Sequence, residues 1–479
     1  MERSRDASRT GPTRRALLSA SAATAMVAPL AVGTAAQAAS SSAAPLRRQE
    51  PDKALRALIH RIDPDRMRAT VQRLTEFGTR HTLSSQTDQA RGIGAATDWV
   101  IGQMQAIAAT SNGAMTVQRQ SFVQPPASRI PTPTTITNCI ATLQGTASPE
   151  RFYVITGHLD SRVTDVMDFT SDAPGADDDA SGVAVVLELA RLFAGHRFPG
   201  TIVLAAVAGE EQGLYGSSFM AQQMKAAGAD VQGMFSNDIV GASQAWDGTP
   251  PNPHTLRLFV EGIPTAATPD QIALMKSVGG ENDGATHQLA RFVVQSAPAE
   301  LTGANVRVIW RRDRYLRGSD HLSFQQQGYP AARFTEPREN FDHEHQNTQI
   351  VDGVQFGDLI EFVDFDYLAR VAKVNAAALW SLATAPATPK GVQIHTTPPA
   401  TLSGTNFTTL SWAANPDADL AGYEVVMRET TAADWTSAID VGNVTTVTLD
   451  ISKDNVQFGI RAVDQAGHRS PVGFPQVAA

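Results

Sequence analysis

Two histidines and a run of carboxylates recur in short polar motifs along the chain: His158 and Asp160 in GHLDS, Asp178 in GADDDASG, Glu210 and Glu211 in GEEQG, Asp238 in SND and His321 in SDH. Carboxylate oxygen and imidazole nitrogen both suit zinc. A two-metal hydrolytic site needs about five ligating side chains plus one acid/base group that is not a ligand. The set supplies both, and reads as a pair of zinc ions sharing one bridging carboxylate. The expectation is a metallohydrolase.

Each motif has its own logic. His158 and Asp160 stand two apart at the end of an apolar run, so both can point toward one cleft. Asp160 is then placed to take the N–H of His158 and fix which nitrogen meets a metal. Asp177, Asp178 and Asp179 repel one another unless solvated or neutralised by a cation. Asp179 or Ser181 can cap the helix that follows, and Asp178 is taken as the bridging ligand. Glu210 and Glu211 follow the apolar run TIVLAAVAG, and neighbours at a strand end point in different directions. Glu211 is assigned to metal and Glu210 to proton transfer, because zinc lowers the pKa of water to roughly 7 and a free carboxylate beside it can take the proton. Asp238 ends another apolar run and His321 opens a short helix. The stretch from Asp342 through His343 and Glu344 to His345 reads as a polar loop near the cleft rather than a second metal site.

The elements that must position these residues follow from hydrophobic period. Helical spacing runs from Pro64 to Phe77 and from Gln86 to Ala109, and alternation marks strands over Met115 to Phe122 and Thr134 to Leu143. Beyond Arg151, short apolar runs alternate with helices, including a long one from about Phe356 to Leu382. That period predicts an α/β fold with a mostly parallel central sheet flanked by helices. GHLDS, GEEQG and SND each fall at the end of a run, and the carboxyl ends of strands are where open α/β sheets build their sites. After an Ala/Thr/Pro-rich linker at 384–389, short β-like runs over 390–479 predict a small all-β sandwich. The expected division is 1–38, a signal peptide; 39–51, a linker or short pro-segment; 52–383, the catalytic domain; and 390–479, the sandwich.

GADDDASG and GEEQGLYGS are the most specific stretches. With the order of the other motifs, they resemble the secreted bacterial leucyl aminopeptidases, di-zinc exopeptidases related to glutaminyl cyclases and glutamate carboxypeptidases. The similarity spans Pro64 to Leu382. It implies that His158 and Asp238 hold one zinc and Glu211 and His321 the other. Asp178 would bridge the two, Glu210 would act as acid/base, and the Asp178–Asp179 peptide would be cis. It further implies peptide substrates, cleaved at the N-terminal bond with apolar first residues favoured. Some relatives place a tyrosine before the last histidine to steady the oxyanion, where this chain has Asp320, so Tyr315 is the candidate in its place. LSWAANPDADLAGYEVVMRE and FGIRAVDQAGHRSP resemble a fibronectin type III module with Trp412 as its core tryptophan. Such modules bind a surface, polymer or protein, or act as spacers.

Composition bounds the rest. The 479 residues are 42% hydrophobic and 18% charged, ample for a large core and a second domain. Arg14 and Arg15 before an apolar run ending in Ala36, Gln37 and Ala38 form a signal peptide of twin-arginine type, which predicts a secreted or periplasmic protein. Removing 1–38 leaves 34 basic and 46 acidic residues, a net charge of about −12 that excludes non-specific nucleic-acid binding. A single cysteine, Cys139, excludes an intramolecular disulfide and a thiolate zinc cluster. No second stretch reaches membrane-spanning length. Two further readings stay open: cyclase or carboxypeptidase action on the same scaffold, and a non-catalytic binding protein on a degenerate peptidase fold.

Overall fold

The computed structural model describes residues 43–47, 49–397 and 407–478, and the signal peptide expected at 1–38 lies outside them. An eight-stranded sheet runs through the catalytic part in the order Met115–Gln124, Thr134–Leu143, Gly200–Val207, Ser148–His158, Asp230–Asn237, Ala331–Thr335, Thr255–Val260, Asn305–Ile309. The four central strands, from Gly200–Val207 to Ala331–Thr335, run parallel. The flanks depart from the mostly parallel expectation. Thr134–Leu143 pairs antiparallel with both neighbours, and Thr255–Val260 runs antiparallel to Ala331–Thr335. At the first edge the reason is local, since the proline-rich loop after Gln124 turns the chain straight back without a crossover helix.

Strand alternation divides the core between the two faces of the sheet. Tyr153, Ile155, Ile202, Leu204 and Ala206 point to one face, under the helices Pro64–Thr75, Ile93–Ala109, Ala180–Phe193 and Phe365–Thr384. Val154, Val203, Ala205 and Val207 point to the other, with Met220 and Phe324. Ala180–Phe193 is buried on almost every side, which its all-round apolar sequence allows. The long helix starts at Phe365, later than expected. Asp364 caps it by accepting the Tyr367 N–H, and the residues before it form a two-stranded hairpin, Gln349–Val351 with Val354–Phe356. No described helix is long and apolar enough to cross a membrane.

The residues beyond Pro389, joined by Ala44–Pro45, form two four-stranded sheets. One is ordered Ala44–Pro45, Ser437–Gly442, Leu420–Glu429, Val456–Asp464; the other Thr446–Leu449, Thr408–Ser411, Gln393–His395, Gln476–Val477. Leu410 and Trp412 of one pack with Tyr423, Val425 and Ile460 of the other in a single cluster. Trp412 stacks edge-on to Tyr423 with ring centroids 5.3 Å apart. The segment expected as a linker or pro-segment contributes an edge strand here, Ala44 opposite Ala438.

Charged side chains tie these sheets to the catalytic part. Asp283 is fully buried and takes Arg291 Nη1 at 2.8 Å on one oxygen and Arg428 Nη2 at 2.6 Å on the other. Trp435 Nε1 donates to Gln288 at 2.9 Å. His468 stands between Asp464 (2.7 Å) and Asp52 (3.0 Å), and the second Asp52 oxygen accepts the Trp380 N–H at 2.7 Å. Hydrogen bonds to Asp464 and Asp52 push the His468 pKa up to about 10.

Two outcomes follow. Asp283→Ala strands two buried guanidinium groups without their counter-charge and should cost roughly 3–5 kcal/mol in urea denaturation; a loss below about 1 kcal/mol would contradict this coupling. His468 has a folded pKa above its unfolded value, so its contribution is complete below about pH 6.5 and drains away as the pH rises toward about 10. Melting temperature should therefore fall more steeply over that window in the wild type than in His468→Gln, and parallel curves would show that the clamp is not linked to pH.

Candidate metal centre

The carboxyl ends of the central strands bring the motif residues together. His158 is the last residue of Ser148–His158, Glu210 and Glu211 follow Gly200–Val207, and Asp238 follows Asp230–Asn237. Asp178 enters from the turn before Ala180–Phe193. That helix is capped by Asp179, whose second oxygen accepts the His158 backbone N–H at 2.8 Å. Helix and strand meet closely enough that a Cβ on Gly157 would lie 2.4 Å from the Gly182 backbone. The Asp178–Asp179 peptide is cis. Asp358 accepts the backbone N–H groups of both Asp177 and Asp178, at 2.8 and 2.7 Å, and so fixes the turn from below.

At the centre, one carboxylate faces two histidines. His158 Nε2 lies 2.9 Å from Asp178 Oδ1 and 3.9 Å from Asp238 Oδ1. His345 Nε2 lies 2.8 Å from Asp178 Oδ2 and 3.0 Å from Glu211 Oε1. Asp178 Oδ1 and Glu211 Oε1 are buried and accept no hydrogen bond despite these neighbours. Lone-pair atoms thus converge without a well-aligned hydrogen between them, which is the arrangement a cation completes. The donor set, carboxylate oxygen and imidazole nitrogen, is one that zinc accepts.

The electrostatics agree. Burial pushes the His158 pKa down, but Asp179, Glu210 and the other carboxylates outweigh it and raise it well above the ordinary value; Glu211 and Asp178 do the same for His345. Burial raises Asp178 and Asp238, yet His345 and His158 hold the first, and Arg333 with His158 the second, below the usual carboxylate range. Arg333 donates to the Asp238 side chain at 2.7 Å and to its carbonyl at 3.1 Å. The site is built to hold positive charge.

Four sequence expectations change. His321 does not face this cluster: it is fully buried, its Nε2 donates to the Arg312 carbonyl at 2.9 Å, and burial lowers its pKa to about 4. His345, read as a polar loop residue, occupies the place expected of it, with a left-handed backbone (φ 57°). Asp160 also acts differently. His158 Nδ1 meets its main-chain oxygen at 3.0 Å, while its carboxylate accepts the Glu210 and Glu211 N–H groups and the Thr82 hydroxyl. Asp160 therefore fixes the Glu210–Glu211 loop. Tyr315 is exposed, with the Arg311 guanidinium over its ring, and does not line the cleft.

His158, Asp178, Glu210, Glu211, Asp238 and His345 line a cavity of about 230 Å³. Arg129, Arg162, Arg314 and Arg317 complete its wall with Gly213 and Gly318, so no lining side chain is apolar. The only signal for His345 in the sequence is the histidine- and acid-rich run at 342–345. The four arginines come from three loops, Arg314 and Arg317 sharing one, and carry no motif.

A model of Peptidase family M28 matches residues 138–363, a span that includes every residue of this cluster. The chain is 51% identical over 429 residues to a protein named "Probable zinc metalloprotease" from Pyrenophora teres f. teres, covering 89% of this chain and 88% of that one. It is 50% identical over 433 residues to one of the same name from Pyricularia oryzae, covering 89% and 85%. These relatives are fungal, whereas the motifs resemble a bacterial family. Among solved structures, the LapA aminopeptidase of Legionella pneumophila aligns with a TM-score of 0.48 at 18% identity, covering 70% of this chain and 76% of that one. A glutaminyl cyclase of Porphyromonas gingivalis aligns with 0.46 at 20%, covering 66% and 97%. With about half its residues shared with named zinc metalloproteases along nearly the whole of both chains, this chain belongs to peptidase family M28 and is a zinc metallopeptidase.

Proposed function

We propose that the chain is an exported aminopeptidase that hydrolyses the N-terminal bond of peptides with two zinc ions. His158 and Asp238 would hold one, Glu211 and His345 the other, and Asp178 would bridge them. The observation that carries this reading is the pair of contacts made by Asp178, 2.9 Å to His158 through one oxygen and 2.8 Å to His345 through the other. When bound, zinc supplies an acidified water and a polarised substrate carbonyl. Glu210 lines the same cavity and has no ligand role in this scheme. Its carboxylate takes the proton of the attacking water and passes it to the leaving amine. Burial raises the Glu210 pKa well above the ordinary value, which makes it a better proton acceptor than a solvated carboxylate.

Export rests on the Arg14–Ala38 pattern, and the C-terminal sheets are read as a fibronectin type III-like module on the packing around Trp412. Preference for an apolar first residue rests on the motif resemblance alone. The cavity wall is polar, so such a preference would be set at its rim.

Metal analysis tests the ligand set. His345→Ala should retain about half the wild-type zinc and His321→Ala all of it; the reverse would restore His321 as the ligand. Glu210→Gln should keep its zinc and lose about a hundredfold or more in kcat on leucyl peptides. Wild-type turnover by that variant would remove the assigned base. Acetylating the substrate N-terminus should abolish cleavage, and continued release of C-terminal residues would make the enzyme a carboxypeptidase.

A further inference from the structure

The cavity carries more positive charge than the ligand set and Glu210 account for. Of its four arginines, three face carboxylates of the protein. Arg314 lies 2.8 Å from Glu339 and 3.7 Å from Glu344, and Arg317 lies 3.4 Å from Glu339 and also contacts Glu344. Arg162 sits deeper, with Nε 3.2 Å from Glu211 Oε2 and Nη2 2.7 Å from His345 Nδ1. It therefore backs the residues proposed as ligands. Arg129 comes from the proline-rich loop between Met115–Gln124 and Thr134–Leu143 and is exposed at the cavity. Its Nη1 donates to the Glu211 carbonyl at 2.7 Å, and among the described residues no carboxylate pairs with it.

One hydrogen bond to the backbone of a ligand-bearing residue holds Arg129 beside the reacting centre and leaves its other donors uncommitted. With cations engaging the cavity carboxylates, an anionic group entering the site meets guanidinium without competition from those acids. A planar guanidinium binds a carboxylate through two parallel hydrogen bonds. We propose that Arg129 is a specificity-determining residue that binds a substrate carboxylate on the leaving-group side of the scissile bond. This rests on the peptidase reading above and names its substrate class. The carboxylate is either the free C-terminus of a dipeptide or the side chain of an acidic second residue.

Paired substrates separate the two sources in the zinc-loaded full-length enzyme. If the terminal carboxylate is recognised, Leu-Leu should exceed Leu-Leu-amide in kcat/KM by about tenfold or more, mainly through KM. If a side chain is recognised, Leu-Glu-amide should exceed Leu-Gln-amide by a similar factor. Either preference should shrink to within about twofold in Arg129→Ala and recover only in part in Arg129→Lys, which keeps the charge without the planar fork. Absence of both preferences, or their survival in Arg129→Ala, overturns the proposal. Calorimetric binding gives a readout independent of turnover: leucine and glutamate should bind more tightly than leucinamide and glutamine amide, respectively, and Arg129→Ala should remove the difference. Were none of the peptides hydrolysed, the peptidase reading would fail, while the binding comparison would still decide the role of Arg129.

Discussion

Asp178, Glu210, Glu211 and Asp238 face one small cavity, and so many carboxylates can share a site only if positive charge is brought to meet them. The surrounding structure answers that requirement at several depths. Arg333 reaches Asp238 from the neighbouring parallel strand, Arg162 reaches Glu211 from the loop beyond His158, and the two histidines close on Asp178 from opposite sides. Backbone amides do similar work further out: those of Asp177 and Asp178 bind Asp358, and those of Glu210 and Glu211 bind Asp160. Removing any of these groups leaves charge uncompensated in a poorly solvated place, which is why ligand geometry and folding are not separable here.

Much of this was readable from the chain because strand ends impose convergence. An apolar run followed at once by a charged motif puts the motif on the carboxyl edge of the sheet, so His158, Glu211 and Asp238 were bound to meet once the runs were recognised as adjacent parallel strands. Asp178 could be singled out because Asp179 is the natural helix cap. His345 was not readable in the same way. It sits in an irregular loop with no hydrophobic period, while His321 opens a helix after an acidic residue and looked the more regular candidate. Spacing alone cannot tell a histidine facing Asp178 from one that donates to the Arg312 carbonyl. Asp160 shows a finer limit: alternation correctly placed it near His158, but its main-chain oxygen reaches the imidazole and its carboxylate binds amides instead. The antiparallel edges of the sheet escaped because hydrophobic runs carry no direction.

Ionic and aromatic groups bind the C-terminal sheets to the catalytic part. Asp283 with its two arginines, Trp435 on Gln288, and His468 with Asp52 and Trp380 are all directional contacts that demand one orientation. A flexibly tethered adhesive domain would have no need of them. Whatever the sheets touch outside the molecule, they present it at a set angle to the metal centre.

The pairing of Ala44 with Ala438 has a separate consequence for biogenesis. A strand near the beginning finds its partner nearly 400 residues later. During synthesis the early segment must wait, unpaired, until Ser437–Gly442 has left the ribosome. Formation of this edge is thus tied to the emergence of Ser437–Gly442, and a chain cut short before it would display an unsatisfied backbone edge of the kind that quality-control proteases and chaperones engage.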